Sequence, residues 1–469
     1  VTVDLEPAGR PGAGAAVENA GNPPDLEADV VVVGAGPGGT AAAIELSRAG
    51  RRVVVVDRAR FPRDKICGDG LTTGALRLLE DLGVQPGSVG SWQPVHDIHV
   101  AGPKGHTVTF PLPRGRGQFA VVARRTDVDH ALVEQARRCG ATVIEGATVV
   151  GVDDGPHAVT VTCSLTAGPT PDTGAASAAD AAPPPGQAEG PAGELRIRAR
   201  YLVAADGMWS PTRKLLGAAE PGYLGEWHAF RQYFTHTGPA ARDLWVWFEA
   251  DLVPGYVWCF PLPDGGANVG FGIQRGGKVA TREMKALWPD ILSRPHIAAV
   301  LGPDAEPEGR HQAWPIPARV DQVPLSQGRV LWVGDAAAAT DPMTGEGIGQ
   351  ALLSGVLAAR AVLAHVPAVH GPRGPSPLRG SHPGEAERVR RRYERSVRQE
   401  LVADHKMSLL LVRALRHRKG ARAAIRVAGL TPWTRRNFAR WLFEDEPRAA
   451  ALTPRRWHRR FLTRDGAYR

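Results

Sequence analysis

The stretch Val30–Gly39, VVVVGAGPGG, limits what this chain can fold into more than any other segment. Four consecutive valines suit a strand buried on both faces of a parallel sheet. Gly34, Gly36 and Gly39 follow in the order G-x-G-x-x-G, and Thr40–Ala49 reads as an alanine-rich helix. Arg51–Asp57, RRVVVVD, reads as a second buried strand that ends in an acid. Strand, glycine turn, helix, strand and acid in this order make a dinucleotide-binding unit. The glycines permit a tight bend and a close approach to a pyrophosphate, to which the helix N-terminus offers N–H groups. Asp57, followed by Arg58, is placed to accept from ribose hydroxyls, and its charge disfavours a 2′-phosphate.

The chain's 469 residues suffice for several domains. No apolar run approaches the roughly 20 residues of a membrane span. Residues 1–28 lack the apolar stretch of a secretory signal and are expected to be a disordered leader. Cys67, Cys139, Cys163 and Cys259 are far apart, without C-x-x-C, which suggests a reduced cytoplasm rather than disulfides or zinc. His96 and His99 lie in an alternating segment, so their spacing puts them on opposite strand faces, and no metal site is expected. The net charge of +9 is uneven: Lys406–Arg469 holds 17 Lys and Arg against 4 Asp and Glu, or +13, leaving −4 for the remainder. Such a region, with tryptophans and with Arg455, Arg456, Arg459 and Arg460, suits peripheral contact with anionic lipid at the inner face of the membrane. The competing reading is a solvated helical face. No nucleic-acid-binding signature accompanies the charge, so no nucleic acid partner is expected.

The pattern along the chain predicts an α/β fold. A Rossmann-like domain is assembled from residues 29–91, 123–215 and 327–366. A second, mostly antiparallel sheet is expected from residues 92–122 and 216–326, where Trp, Phe, Tyr and Val recur with strand patterning. Residues 167–193, almost without large apolar side chains, are expected to be a flexible insertion. Residues 367–384 form a Pro/Gly linker, and 385–469 a helical C-terminal region broken at Gly429–Pro432.

Two further segments carry chemistry. Tyr201–Arg213, YLVAADGMWSPTR, ends a strand at Asp206, which can reach ribityl or ribose hydroxyls; an ordinary Asp-Gly turn is the competing reading. Val330–Gly349, VLWVGDAAAATDPMTGEGIG, ends a strand at Asp335 and then opens a helix through Gly345, Gly347 and Ile348. The backbone N–H groups of that turn can face the edge of a flavin where negative charge develops on reduction.

Together these three segments resemble the FAD-binding motifs of the para-hydroxybenzoate-hydroxylase-like flavoproteins. Phe61–Leu71, FPRDKICGDGL, and Val253–Pro261, VPGYVWCFP, with NVGFG at Asn268–Gly272, are similar to segments of the geranylgeranyl reductase family. The resemblance covers residues 29–365. It implies FAD as cofactor, with Gly34, Gly36, Gly39, Asp57 and Arg58 at the ADP half and Asp335, Gly345, Gly347 and Ile348 at the isoalloxazine half. Arg125, in an R-x-x-x-D pattern ending at Asp129, resembles the family's FAD-contacting arginine, with Arg124 as a one-residue alternative. Cys67 matches a cysteine near flavin and substrate, as proton donor or as inert packing. Tyr256 and Trp258 are the aromatic catalytic candidates and Phe260 lines the substrate. On a strand these three share one face, so they form either a substrate wall or core.

The activity the resemblance implies is hydride transfer from reduced FAD to a prenyl C=C bond, with aromatic faces supporting cationic character and Cys67 or water supplying a proton. A second G-x-G-x-x-G is absent, so either NAD(P)H acts as a transient reductant at the flavin face or another reductant donates. The competing enzyme class is an FAD monooxygenase that hydroxylates or epoxidises a small molecule. It is kept open by TDPMTGEGI, where the reductase pattern reads N-P-x-x-G-E-G-I, and by the extra Trp227, Trp245 and Trp247. A halogenase is disfavoured, because W-x-W-x-I-P is missing and no lysine partner is evident. A flavin-loaded binding or electron-transfer protein is the non-enzyme reading.

Overall fold

The computed structural model describes residues 25–166, 193–366, 384–443, 449 and 464–469. The expected insertion and linker lie outside them except for Gly193 and Gly384, as do most of the expected leader and Arg455, Arg456, Arg459 and Arg460.

The first part of the chain runs β1 (Leu26–Val33), α1 (Pro37–Arg48), β2 (Val53–Asp57), β3 (Gly70–Thr72), α2 (Thr73–Asp81), β4 (Gln93–Pro94), β5 (Asp97–Ala101), β6 (Thr107–Pro111) and β7 (Ala120–Val122). It continues through α3 (Arg125–Arg138), β8 (Thr142–Glu145), β9 (Ala147–Asp154), β10 (Val159–Leu165), β11 (Gly193–Ala204) and α4 (Pro211–Leu215). Then follow β12 (Trp227–Thr235), β13 (Leu244–Trp247), β14 (Tyr256–Leu262), β15 (Gly266–Gln274), α5 (Met284–Ser293), α6 (Pro295–Leu301) and β16 (Glu306–Ile316). The last part holds β17 (Ser326–Gln327), β18 (Val330–Trp332), α7 (Ile348–Leu363), α8 (Glu385–Val397), α9 (Ala403–Leu415), α10 (Arg418–Gly429) and α11 (Pro432–Phe443).

The valine strands do what their composition predicts. β18, β11, β1, β2 and β8 lie side by side in parallel, with Val30 opposite Val53 and Tyr201. Val30–Val33 and Val53–Val56 are buried, because α1 packs on α3 and α7 over the sheet and the β9–β10 pair branches from β11 beside β2. Gly34 takes φ +98°, and a Cβ there would sit 2.3 Å from the Ala205 carbonyl oxygen. A Cβ on Gly39 would sit 1.9 Å from the Gly34 carbonyl oxygen, so only glycine lets α1 start this close to β1.

The second sheet runs β16-β12-β15-β14-β13-β5-β6. It is antiparallel except at β13 and β5, which pair in parallel. Its rear face packs Val257, Cys259, Phe230 and Phe271 against Met284, Trp288 and Ile291 of α5.

Four details correct the sequence reading. β1 begins at Leu26, inside the expected leader. β4 and β7 do not join the second sheet; β7 pairs with β3 on one side and β4 on the other in a small third sheet. Helices α5 and α6 stand within the region read as sheet. The start of the C-terminal region is not an appendage: α8 packs on α7, buries Val389, Tyr393 and Val397 in the core of the first domain, and places Glu385 2.7 Å from Arg200 in an enclosed ion pair.

Candidate active site

The first-domain turn is held by the acid at the end of β2. Asp57 Oδ2 accepts from the Ala35 N–H at 2.7 Å and Oδ1 from the Ala59 N–H at 2.8 Å, so the acid braces the glycine turn from the end of β2. Arg58, next in sequence, is exposed. Arg63, which the motif reading passed over, enters this turn: its guanidinium stands 3.7 Å from where a Gly36 Cβ would be.

Asp206 is differently engaged. Its oxygens accept from the Ser210 hydroxyl and the Thr212 N–H, each at 2.8 Å, and so cap α4. This arrangement favours the Asp-Gly turn reading of that segment. Burial raises its carboxyl above the ordinary range, and the Thr212 and Ser210 hydrogen bonds oppose the rise.

Arg125, at the start of α3, holds Asp129 through two hydrogen bonds of 2.8 and 2.7 Å, and Arg63 meets the same carboxylate at 2.7 Å. Burial opposes both charges, but the pairing wins: Arg125 is held above its ordinary value and Asp129 below it. Arg124 turns away to Glu308 at 2.6 Å, so the one-residue alternative points to the second sheet.

The loop before β3 brings three groups to this cluster. Burial pushes the Cys67 thiol above its ordinary value and the Asp69 charge adds to the rise, while the Arg125 charge resists it. Asp69 is buried at φ +65°, a left-handed conformation that Asp tolerates. Its Oδ2 accepts from the Tyr233 hydroxyl at 2.6 Å and the Asn268 amide at 2.8 Å. Burial carries Lys65 down to about 7, with Asp335 opposing and Arg125 and Arg63 reinforcing the fall.

β14 crosses the site. Tyr256, Trp258 and Phe260 follow one another on one face with ring centroids 6.1 Å apart at each step, while Val257 and Cys259 face the rear core. The Tyr256 hydroxyl donates to the Thr344 carbonyl at 2.5 Å, beside Gly345. Trp258 donates to Asn268 at 3.1 Å, and that same amide donates to the Cys67 carbonyl at 2.8 Å. Phe260 lies over Gly68 and Gly70. A Cβ on Gly270 would stand 2.3 Å from the Trp258 ring, so β15 must carry glycine for the wall to pack. Trp258 is therefore core and wall at once, whereas Tyr256 and Phe260 are partly exposed.

Asp335 follows β18, beside the turn into α7: it accepts from Thr340 at 3.3 Å, and a Gly347 Cβ would lie 3.9 Å from its oxygen. The TDPMTGEGI departure has a structural reason. Asp341 accepts from the Met343 and Thr344 N–H groups and the Thr344 hydroxyl at 2.8–3.0 Å, and from Ser408 of α9 at 2.7 Å. Trp245 and Trp247 of β13 stack on one another near His99 and His296, away from the aromatic wall, and Trp227 packs with Ala318 and Val412.

These residues fit FAD. Gly34 and Gly39 leave no room for a side chain, and α1 starts beside them. In the same region Lys65 Nζ, Trp209 Nε1 and Trp314 Nε1 are buried donors without hydrogen-bond partners among the described residues. A donor-rich enclosure suits a ligand rich in acceptors.

Comparison with known proteins agrees. Residues 27–367 match the family model described as FAD binding domain. Menaquinone reductase of Mycobacterium tuberculosis is 32% identical over 361 residues, covering 71% of this chain and 76% of the relative. Digeranylgeranylglycerophospholipid reductase 1 of Methanopyrus kandleri is 28% identical over 360 residues, covering 71% and 80%. The crystal structure of a geranylgeranyl bacteriochlorophyll reductase-like protein from Thermoplasma acidophilum superposes with a TM-score of 0.69 at 18% identity, covering 92% of this chain and 99% of that one. The chain belongs to the FAD-binding domain family, and it is an FAD-dependent oxidoreductase.

Proposed function

We propose that this oxidoreductase reduces a carbon–carbon double bond in a prenyl chain, such as that of an isoprenoid quinone or a prenylated glycerolipid. The observation that carries the reading is the path of β14. Its aromatic face begins at Gly345 of the flavin turn and ends over the loop that carries Cys67. FAD, once reduced, supplies a hydride. The protein's part is to align an unactivated alkene and to support the cationic character it acquires. The ring faces of Tyr256, Trp258 and Phe260 serve that end through their quadrupoles. Cys67 holds its proton at neutral pH because burial pushes its thiol up, and Arg125 beside the sulfur stabilises the thiolate once the proton has gone to the neighbouring carbon. NAD(P)H reaching the flavin face is the reductant this reading favours.

A prenyl lipid substrate also favours peripheral membrane contact. Among the described residues no helix is long and apolar enough to cross a membrane. Leu410, Val427, Leu430 and Trp433 of the C-terminal helices and the turn between the last two are exposed, in a stretch from Lys406 to Phe443 that holds 10 Lys and Arg and no acid.

Phe260→Leu tests the wall, since it keeps apolar bulk and removes the ring. We expect kcat on a prenyl substrate to fall about tenfold, the equivalent of one lost cation–π contact of about 1.4 kcal/mol, with FAD affinity unchanged. Unaltered kcat and KM would assign the wall to packing alone.

A further inference from the structure

We propose that Lys65 is a further cofactor-site cation, whose ammonium neutralises a negative charge on bound FAD. The inference rests on FAD as the cofactor and not on the prenyl substrate.

Lys65 Nζ is sealed from solvent and has no hydrogen-bond acceptor among the described residues. Its one close support is the face of Trp314, 3.5 Å from the ring centroid. Such a contact stabilises a desolvated cation, but by less than the burial of an unpaired ammonium costs. The indole alone does not offset the burial.

The surrounding charges do not offset it either. Arg63 and Arg125 stand with their positive charges beside Lys65 and disfavour a third. Asp129 is fully taken by the two arginines, at 2.7 Å each. Asp335 is the carboxylate that acts on Lys65, and the charges of Arg125 and Arg63 work against it. The indole N–H groups of Trp209 and Trp314 are buried without hydrogen-bond partners among the described residues, with the two rings 6.3 Å apart. The site therefore offers donors and positive charge, and what completes it is an acceptor-rich anion. FAD carries two such groups: the pyrophosphate in every redox state, and the N1–C2 carbonyl edge of the isoalloxazine when reduced.

The test compares wild-type holoprotein with Lys65→Met and Lys65→Gln, which remove the charge at similar length. Release of oxidised FAD on dilution is read by flavin fluorescence, and the midpoint potential by dye-linked reduction under nitrogen. A tenfold or greater rise in the Kd of oxidised FAD with an unchanged potential supports pairing with the pyrophosphate. A fall in potential of about 30 mV or more, which is a tenfold selective weakening of the two-electron-reduced form, supports pairing with the reduced ring. Folded variants that purify without FAD count with the first result. Both quantities unchanged, or failure of both variants to fold, would overturn the proposal and make Lys65 a structural partner of Trp314.

Discussion

Asp69 is enclosed between Tyr233 and Asn268, with its backbone N–H turned to the Cys67 sulfur. Burial pushes its carboxyl up to about 6, against the pull of the Tyr233 hydrogen bond and the Arg231 charge. The native state thus keeps, between about pH 4 and pH 6, a proton that the unfolded chain has lost. The group's contribution to stability falls as pH rises through that window, by about 3 kcal/mol for a shift of roughly two units. Asp69→Asn keeps an acceptor for both partners and cannot ionise. The variant is expected to gain that amount on the wild type between pH 4 and pH 7, measured by urea unfolding; a stability difference that does not change with pH would contradict it. The sequence pointed to Cys67 and missed Asp69, whose partners stand 164 and 199 residues away. Gly34, Gly39 and Asp57 were legible because one local unit fixes all three. Lys65 and Arg63 lay in the quoted FPRDKICGDGL segment, yet nothing local indicates that one ammonium would be buried without an acceptor.

Among the elements, period was the reliable signal. The alternation of Tyr256, Trp258 and Phe260 with Val257 and Cys259 separates wall from rear core in β14 as a strand requires. β4 and β7 have only two and three residues, too few to show which sheet they join, and they were assigned to the wrong one. α8 was expected outside the nucleotide domain because a Pro/Gly stretch precedes it; its Val389, Tyr393 and Val397 face bound it to that core instead. α10 shows the reverse case. Ala421, Ile425 and Ala428 are buried, with Ile425 against Gly102 of the β5–β6 turn, while Ala423 and Val427 on α10 and Leu430 just beyond it point outward beside Lys419 and Arg426. Leu430 is 70% and Trp433 73% exposed, a large apolar surface in a cationic setting. That combination suits the headgroup boundary of a bilayer better than a nucleic acid backbone. Leu430→Glu with Trp433→Glu should weaken binding to vesicles of anionic phospholipid at least tenfold, read by co-sedimentation. Unchanged binding would remove this surface as the contact.

At the scale of the molecule, two sheets converge on one loop set. The parallel sheet delivers Asp57 and Asp335 at its strand ends, and the antiparallel sheet delivers the aromatic wall. The Tyr256–Thr344 hydrogen bond and the Asn268 bridge to Cys67 and Asp69 tie the two together. Asp341, bonded to Ser408, fastens the turn into α7 to α9, so the C-terminal helices support a turn that the sequence had treated as separate from them. The extra tryptophans that kept oxygen chemistry open lie apart from the wall, in rear-core or peripheral packing. The decisive measurement is the product mass after the reduced holoprotein is incubated with a polyprenyl quinone or a prenylated glycerophospholipid, once under nitrogen and once in air. The account predicts flavin reoxidation under nitrogen and, in both atmospheres, a product whose prenyl-chain fragment is heavier by two hydrogen atoms. A product that forms only in air and carries one added oxygen atom would contradict it.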